Sequence, residues 1–481
     1  MNGCAALKME NNGTHYTVPV DVGTPPQRFS LVADTGSNSL IIPSCACITT
    51  GYCEEDERCF RGTNKSSTFQ LMTDPSHNPS FITVSFGSGA VEAVVARDVV
   101  QVGPVKAFLR GGILLMTGKA LNIQTAFEGI LGLGLPNAKR VKERGERNAM
   151  RADMYKNVAE RRVGPVGFLE QTGINHFYIC FGREGGGVLR MGQPEGDDAL
   201  LNVGEEHWGL SFGGISVGRG GTAKPQGFCT ELDMPSGQQA PCGIIPDSGT
   251  SAIMGPRAHI EMMMDGICDG WKRCRDNHTA LVRAADAATA AAEKFYGRNP
   301  WPIKAQSRAQ VLDTLLSDCH SFLDSSDSLH SEHLPPLLFH VRGRDGKEQA
   351  LEIPATRYLR LVSVEDMEYT IMHTPFGDLP LRADRTGTFS KRCVPLFGAI
   401  DYKTKTHGDI WILGVPLFSQ YRVGFDLKNP AMSFRSLSEV GGCTDCEAAP
   451  DGASSLLSVS EGLQWIKGPL RAPNIDVTSP F

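Results

Sequence analysis

Two aspartates stand in matching surroundings, far apart along the chain. Residues 31–43 read LVADTGSNSLIIP and residues 246–256 read PDSGTSAIMGP. Each copy has an Asp behind an apolar run, then a hydroxyl residue, Gly, a second hydroxyl residue and apolar residues closing on Pro. The first copy supplies Asp34, Thr35, Gly36 and Ser37, and the second supplies Asp247, Ser248, Gly249 and Thr250. A carboxylate between buried stretches is costly unless it is hydrogen-bonded, neutralised or used. One such turn is ordinary capping chemistry, in which Asp bonds its own backbone. Two turns with the same order of hydroxyl and glycine suit two half-sites of one centre. Two carboxyls sharing one proton provide a base to activate water and an acid for the leaving amine. Unit charges about 3 Å apart, at an effective dielectric near about 20, repel by roughly 5 kcal/mol. Such a pair therefore titrates in two steps, with a one-proton window between them.

Elements that could hold these turns can be read around them. The segments HYTVPVDVG, RFSLVAD, ITVSFGSG, AVEAVVARDVVQVG and VLRMG carry alternating or β-branched patterns broken by Gly and Pro, which predicts short strands. FEGILGLG at 127–134 has a counterpart in GDIWILGVPLF at 408–418, each downstream of its own Asp turn. A Gly after two apolar residues lets another backbone pass close by, as a crossing beneath a catalytic turn requires. Helical periodicity is confined to 137–162, which is basic, and to 278–296, which is Ala-rich. The basic run reads as a solvated surface helix, with a partner-binding arm as the alternative. The longer interval in the second half is assigned to an insertion at about 257–318, and 437–481, rich in Ser and Gly, reads as a loosely ordered tail.

A chain of 481 residues is long enough for two lobes with real cores. Its net charge of -6 offers no reason to expect a nucleic-acid partner, and no apolar run approaches the roughly 20 residues that span a bilayer. Fourteen cysteines, many in close pairs, favour disulfides and a secreted or endomembrane-lumen location. Sequons at Asn12, Asn64 and Asn277 are compatible with this. The start MNGCAALKME lacks the apolar core of a signal peptide, so any targeting segment is expected outside this chain. Zinc at Cys45, Cys47, Cys53 and Cys59 is disfavoured, because the spacing makes no pair of metal knuckles and no His is near.

Taken together, VADTGSNSLIIPS, IIPDSGTSAIMGP, FEGILGLG and WILGVPLFSQYRVGFD resemble the pepsin-like aspartic endopeptidases, over roughly 14–436 and in the family's order. The resemblance implies a mainly β, two-lobed acid protease fold with a cleft between lobes. The lobes would be 1–190 and 191–436, with the helical insertion in the second. It assigns catalysis to Asp34 and Asp247, and support of the pair to Ser37 and Thr250. Thr35 and Ser248 would brace the two turns against each other. Gly36 and Gly249 would let the turns approach and leave backbone open to substrate. The stretch 82–103 resembles the family's flap, with Phe86, Gly87 and Ser88 near a hairpin tip that covers the substrate. Here the sequence departs from the pattern: Phe86 replaces the usual Tyr and Ile41 the usual Trp. Both ends of one hydrogen bond are absent together, which predicts a working but more apolar S1 rim. Val415 stands where some relatives carry an acid, a change that by itself would lower the pair's pKa values.

The family also implies a small-loop disulfide from Cys47, closed by Cys53 or Cys59 with Cys45 taking the other. We write these as Cys47–Cys53 and Cys45–Cys59. It implies Cys229–Cys242 before the second Asp and Cys319–Cys393 around a hairpin of the second lobe. Cys268–Cys274 is a pairing guessed within the insertion. Cys443 and Cys446, close together in the tail, are expected as a disulfide and not as a redox pair. No cofactor and no metal are expected, and the partners would be polypeptide substrates met by a monomer. The rival expectation is a catalytically weak binding or inhibitory protein on the same fold, against which the two intact Asp turns argue.

Overall fold

A computed structural model describes residues 3–10, 14–49, 51, 53, 58–73, 76–86, 89–121, 128–136, 166–182, 186–193, 198–220, 223–297, 302–319, 334–374, 377–443 and 446. The basic run at 137–162 and most of the tail lie outside these residues, as do Gly87 and Ser88.

The fold is mainly β. One 14-stranded sheet and one nine-stranded sheet carry the two Asp turns, and a two-stranded arm, Leu359–Thr374 with Gly377–Pro395, stands apart. The larger sheet runs from the first Asp turn to the chain's far end. Its path passes from Gln27–Asp34 through His15–Val22 and Gly3–Glu10 to Gly186–Met191 and His176–Phe181, then to Tyr421–Asp426 and Ala431–Ser436. Strands on either side of position 190 are therefore hydrogen-bonded in a continuous sheet. The last residues leading into each Asp turn, 31–33 and 243–246, are buried on both faces, which is why they read as apolar runs.

The two Asp turns hang from the same local topology. In the first, Ile130–Gly132 pairs parallel with Gln27–Asp34 and antiparallel with Leu40–Pro43. In the second, Gly408–Leu413 pairs parallel with Cys242–Pro246 and antiparallel with Ile253–Gly255. The echoed glycines sit at these crossings. A Cβ on Gly132 would lie 2.3 Å from the Ser39 nitrogen, and one on Gly414 would lie 2.2 Å from the Thr250 carbonyl oxygen. Equivalent backbone bonds close the crossings, from Gly132 N to Ser39 O at 3.0 Å and from Gly414 N to Ala252 O at 3.1 Å.

The insertion holds three helices, Arg257–Gly270, Lys272–Tyr296 and Arg308–Ser317. The Ala-rich helix starts at Lys272, earlier than the periodicity suggests, and Cys268–Cys274 joins it to the helix before it. Its C-terminus is set by Gly297, whose φ of 74° suits a left-handed cap. Ser307 and Gln310 form a reciprocal capping box that starts the third helix. Among the described residues no helix is long and apolar enough to cross a membrane.

The fourteen cysteines form seven disulfides. Cys47 pairs with Cys53, Cys45 with Cys59, Cys229 with Cys242, Cys319 with Cys393 and Cys268 with Cys274. The expectation for Cys443 and Cys446 is corrected. They do not pair with each other: Cys443 bonds Cys180 and Cys446 bonds Cys4. The reason is packing. Leu437, Val440, Cys443 and Cys446 lie on Tyr178, Cys180 and Val188 of the long sheet, and the Arg422 guanidinium, 4.8 Å from the Tyr178 ring centroid, reaches the Gly442 carbonyl. Replacing all four of these cysteines by Ser should cost about 2–4 kcal/mol of stability. It should also make the segment after 437 a protease cut site, whereas replacing only Cys180 and Cys443 leaves the second staple to retain it. Limited proteolysis with a denaturant titration checks this; an unchanged cleavage pattern in the fourfold variant would sink it.

Candidate active site

Asp34 ends its strand and Asp247 follows its own, and the crossings beneath them point both turns at one place. Both carboxyls are fully buried and hydrogen-bond each other. The outer oxygens are held alike: Ser37 Oγ donates to Asp34 Oδ2 at 2.6 Å, and Thr250 Oγ1 donates to Asp247 Oδ2 at 2.5 Å. So are the inner oxygens, with Gly36 N donating to Asp34 Oδ1 at 2.9 Å and Gly249 N to Asp247 Oδ1 at 2.8 Å. Each carboxyl thus has a hydroxyl on one side and a backbone amide on the other.

Thr35 and Ser248 lock the turns together through four reciprocal bonds. Thr35 N donates to Ser248 Oγ and Ser248 N donates to Thr35 Oγ1, both at 3.0 Å. Each hydroxyl then donates across to the other turn, Thr35 Oγ1 to Pro246 O at 3.0 Å and Ser248 Oγ to Ala33 O at 2.7 Å. These bonds are buried, where an unmade partner costs about 1–3 kcal/mol, so they fix the separation of the carboxyls. Ser251 adds a tie by donating to the Thr14 carbonyl.

Burial drives the Asp34 carboxyl well above the usual carboxylate range, and the negative charge of Asp247 and their mutual hydrogen bond push the same way. Ser37 and the Gly36 amide oppose this. Burial also raises Asp247, but the hydrogen bonds from Asp34, Thr250 and Gly249 and the charge of His207 pull it down. The two shifts belong to one coupled pair, in which burial favours keeping a proton.

The hairpin expected as a flap consists of Phe81–Phe86 and Gly89–Val102, closed by the pair Phe86 and Gly89. Ile41 is fully buried in a small cluster with Val84, Met116 and Ile130. Val415 is buried and its amide donates to the Thr250 carbonyl at 2.8 Å, so it braces the second turn. Among the described residues the possible metal-donor trio is Cys229, Cys242 and His259, and two of its three donors are already bonded to each other.

Sequence reasoning missed His207 and Trp208. Their loop reaches the first Asp turn, where Trp208 Nε1 donates to Leu133 O at 3.1 Å and His207 Nδ1 lies 3.1 Å from Gly36 O. The echo that marks them, His207 and Trp208 against His15 and Tyr16, each pair ahead of an apolar strand, is only two residues long.

A sequence profile of the eukaryotic aspartyl protease family matches residues 15–273. The chain is 29% identical over 281 residues to aspartic proteinase oryzasin-1 of Oryza sativa subsp. japonica, a match covering 54% of this chain and 46% of that protein. It is 29% identical over 260 residues to pepsin A-5 of Mus musculus, covering 51% and 56% of the two chains. With renin of Canis lupus familiaris the identity is 26% over 263 residues, covering 53% and 56%. The chain spans about half the length of the curated relatives it matches.

Proposed function

This chain belongs to the eukaryotic aspartyl protease family, and from that premise we propose that it is an endopeptidase whose catalytic pair is Asp34 and Asp247. The observation that carries the reading is the pair itself: two buried carboxyls in mutual contact, with matched donors on their outer and inner oxygens. Such a pair has little structural use. Burying it without chemistry would be destabilising, since burial and repulsion both oppose its charge.

We take Asp34 as the protonated member of the one-proton form and Asp247 as the ionised one; the two exchange these roles during the cycle. Asp247 takes a proton from a water whose oxygen attacks the scissile carbonyl carbon, while the Asp34 proton moves toward the carbonyl oxygen. The proton on Asp247 then passes to the amine nitrogen and a hydroxyl of the tetrahedral diol returns its proton to Asp34 as the C–N bond breaks, so the pair is back to one proton. The hairpin of Phe81–Phe86 and Gly89–Val102 covers the extended substrate and excludes water. Backbone at Gly36 and Gly249 pairs with the substrate chain. Ile41 packs beneath the hairpin in one cluster with Val84, so the base of the flap is apolar where the family has a hydrogen bond. Seven disulfides suit an oxidising lumen or the outside of the cell.

Incubation with an unfolded polypeptide at acid pH should give new amino termini, and a statine-type peptide, whose hydroxyl mimics the attacking water between two carboxyls, should stop it. Intact polypeptide across the acidic range, together with no binding of the statine peptide, would overturn the proposal.

A further inference from the structure

The loop between Leu200–Leu201 and Leu210–Val217 is closed on itself by Asn202. The Asn202 amide donates to Gly204 O at 2.6 Å, its oxygen accepts from Gly209 N at 2.7 Å, and Val203 N donates to Gly209 O at 2.9 Å. The clamp fixes two adjacent side chains against the first Asp turn. Trp208, fully buried against Phe425, holds Leu133, whose own amide donates to Asp34 O at 2.6 Å. His207 is buried, with Nδ1 3.1 Å from Gly36 O. A carbonyl can only accept, so that nitrogen carries a hydrogen. Gly36 is the residue whose amide donates to Asp34 Oδ1. His207 therefore holds one end of a residue whose other end holds the reactive carboxyl.

We propose that His207 is a positioning residue of the pair: its Nδ1 hydrogen fixes Gly36, and its protonated ring keeps a positive charge beside the ionised carboxylate. The inference rests on the proteolytic reading above. The charge of His207 already favours ionised Asp247. Charged groups near it include Asp34 and Asp247 on the two turns, Glu205 and Glu206 on its own loop, and His407, which interacts with Glu205. A cation there opposes the second protonation of the pair, so it extends activity to lower pH.

Two variants separate these roles. In His207→Asn the side-chain amide can occupy the place of Nδ1 and keep the bond to Gly36 without the charge, whereas His207→Leu loses both. Steady-state kinetics on a peptide substrate across pH should show the Leu variant with kcat down about tenfold and KM within about twofold. The Asn variant should recover most of that kcat, yet share with Leu an acid limb of kcat/KM moved up by about half to one pH unit. An acid limb that stays in place in the Asn variant removes the charge role, and a Leu variant with full kcat removes the positioning role. Should the Leu variant not fold, the Asn limb alone decides. An inactive wild type that also fails to bind the statine peptide overturns the protease reading, and this inference with it. An active wild type indifferent to residue 207 overturns this inference only.

Discussion

Asp34→Asn should lower peptide hydrolysis by about 10⁴-fold at every pH while the protein stays folded. The amide fits the same cage, because its oxygen can still accept from Ser37 or the Gly36 amide. It cannot release and regain a proton, so the shuttle between water, carbonyl and amine is broken. On the proposed reading, in which extended substrate is bound mainly by backbone outside the pair, the loss should fall on kcat with KM nearly unchanged. The same variant should change how stability responds to pH. The folded-state pKa of Asp34 is raised above its ordinary value of 3.8, chiefly by burial. The folded chain thus keeps a proton that the unfolded chain has released. Stability from this group is complete below about 3.8 and is lost as pH rises through the higher folded value. Asparagine is neutral in both states, so that decline should disappear and the variant's thermal midpoint near neutrality should exceed that of the wild type. Calorimetric scans at several pH values, with kinetics on the same samples, test both statements. Residual turnover near that of the wild type would end the mechanism, and an equally steep decline in the variant would show that Asp34 is not the raised group.

Much of this site was legible because it was built twice. The matching order of Asp, hydroxyl, Gly and hydroxyl at 34–37 and 247–250 marked both half-sites, and the glycines at 132 and 414 marked the crossings beneath them. Thr35 and Ser248 could be set opposite each other for the same reason, since reciprocal bonds across a pseudo-twofold need like residues at like positions. The rest stayed hidden. The pair His207 and Trp208 answers His15 and Tyr16 ahead of the first Asp turn, but a two-residue echo is too short to mark a site. The partners of Cys443 and Cys446 were misread because nearness along the chain was taken for nearness in space. Cys4 and Cys180 were left over once the other twelve cysteines had been paired, and that remainder pointed to cross-bridges that only the sheet order makes visible. The first helix of the insertion was blurred by Met262, Met263 and Met264, which spread apolar residues round the helix although only Ile260, Met263 and Ile267 form its buried apolar seam.

Gly249→Ala should cost about 10²-fold or more in kcat although the change is one methyl group. An ideal Cβ at 249 would lie 2.5 Å from Asp34 Oδ1, 2.8 Å from Asp34 Cγ and 3.2 Å from Asp247 Oδ1. Ordinary van der Waals contact needs close to an ångström more than the first of these. The crowded carboxyl has no free direction in which to swing. Its Oδ1 is held by the Gly36 amide and its Oδ2 by Ser37, while Thr35 and Ser248 hold the turns at their spacing. The methyl must therefore either break one of these bonds or part the two carboxyls, and in both cases the shared proton loses its place. Overpacking of this kind also destabilises by about 1–3 kcal/mol, against the small gain that Gly→Ala brings where the backbone and space permit it. Gly227→Ala is the matched control, since a Cβ there meets no atom within 4 Å, and it should leave turnover unchanged. Full kcat in the Gly249→Ala protein, with its pH profile intact, would mean that the two carboxyls need no close approach to work, and the shared proton would have to be given up with it.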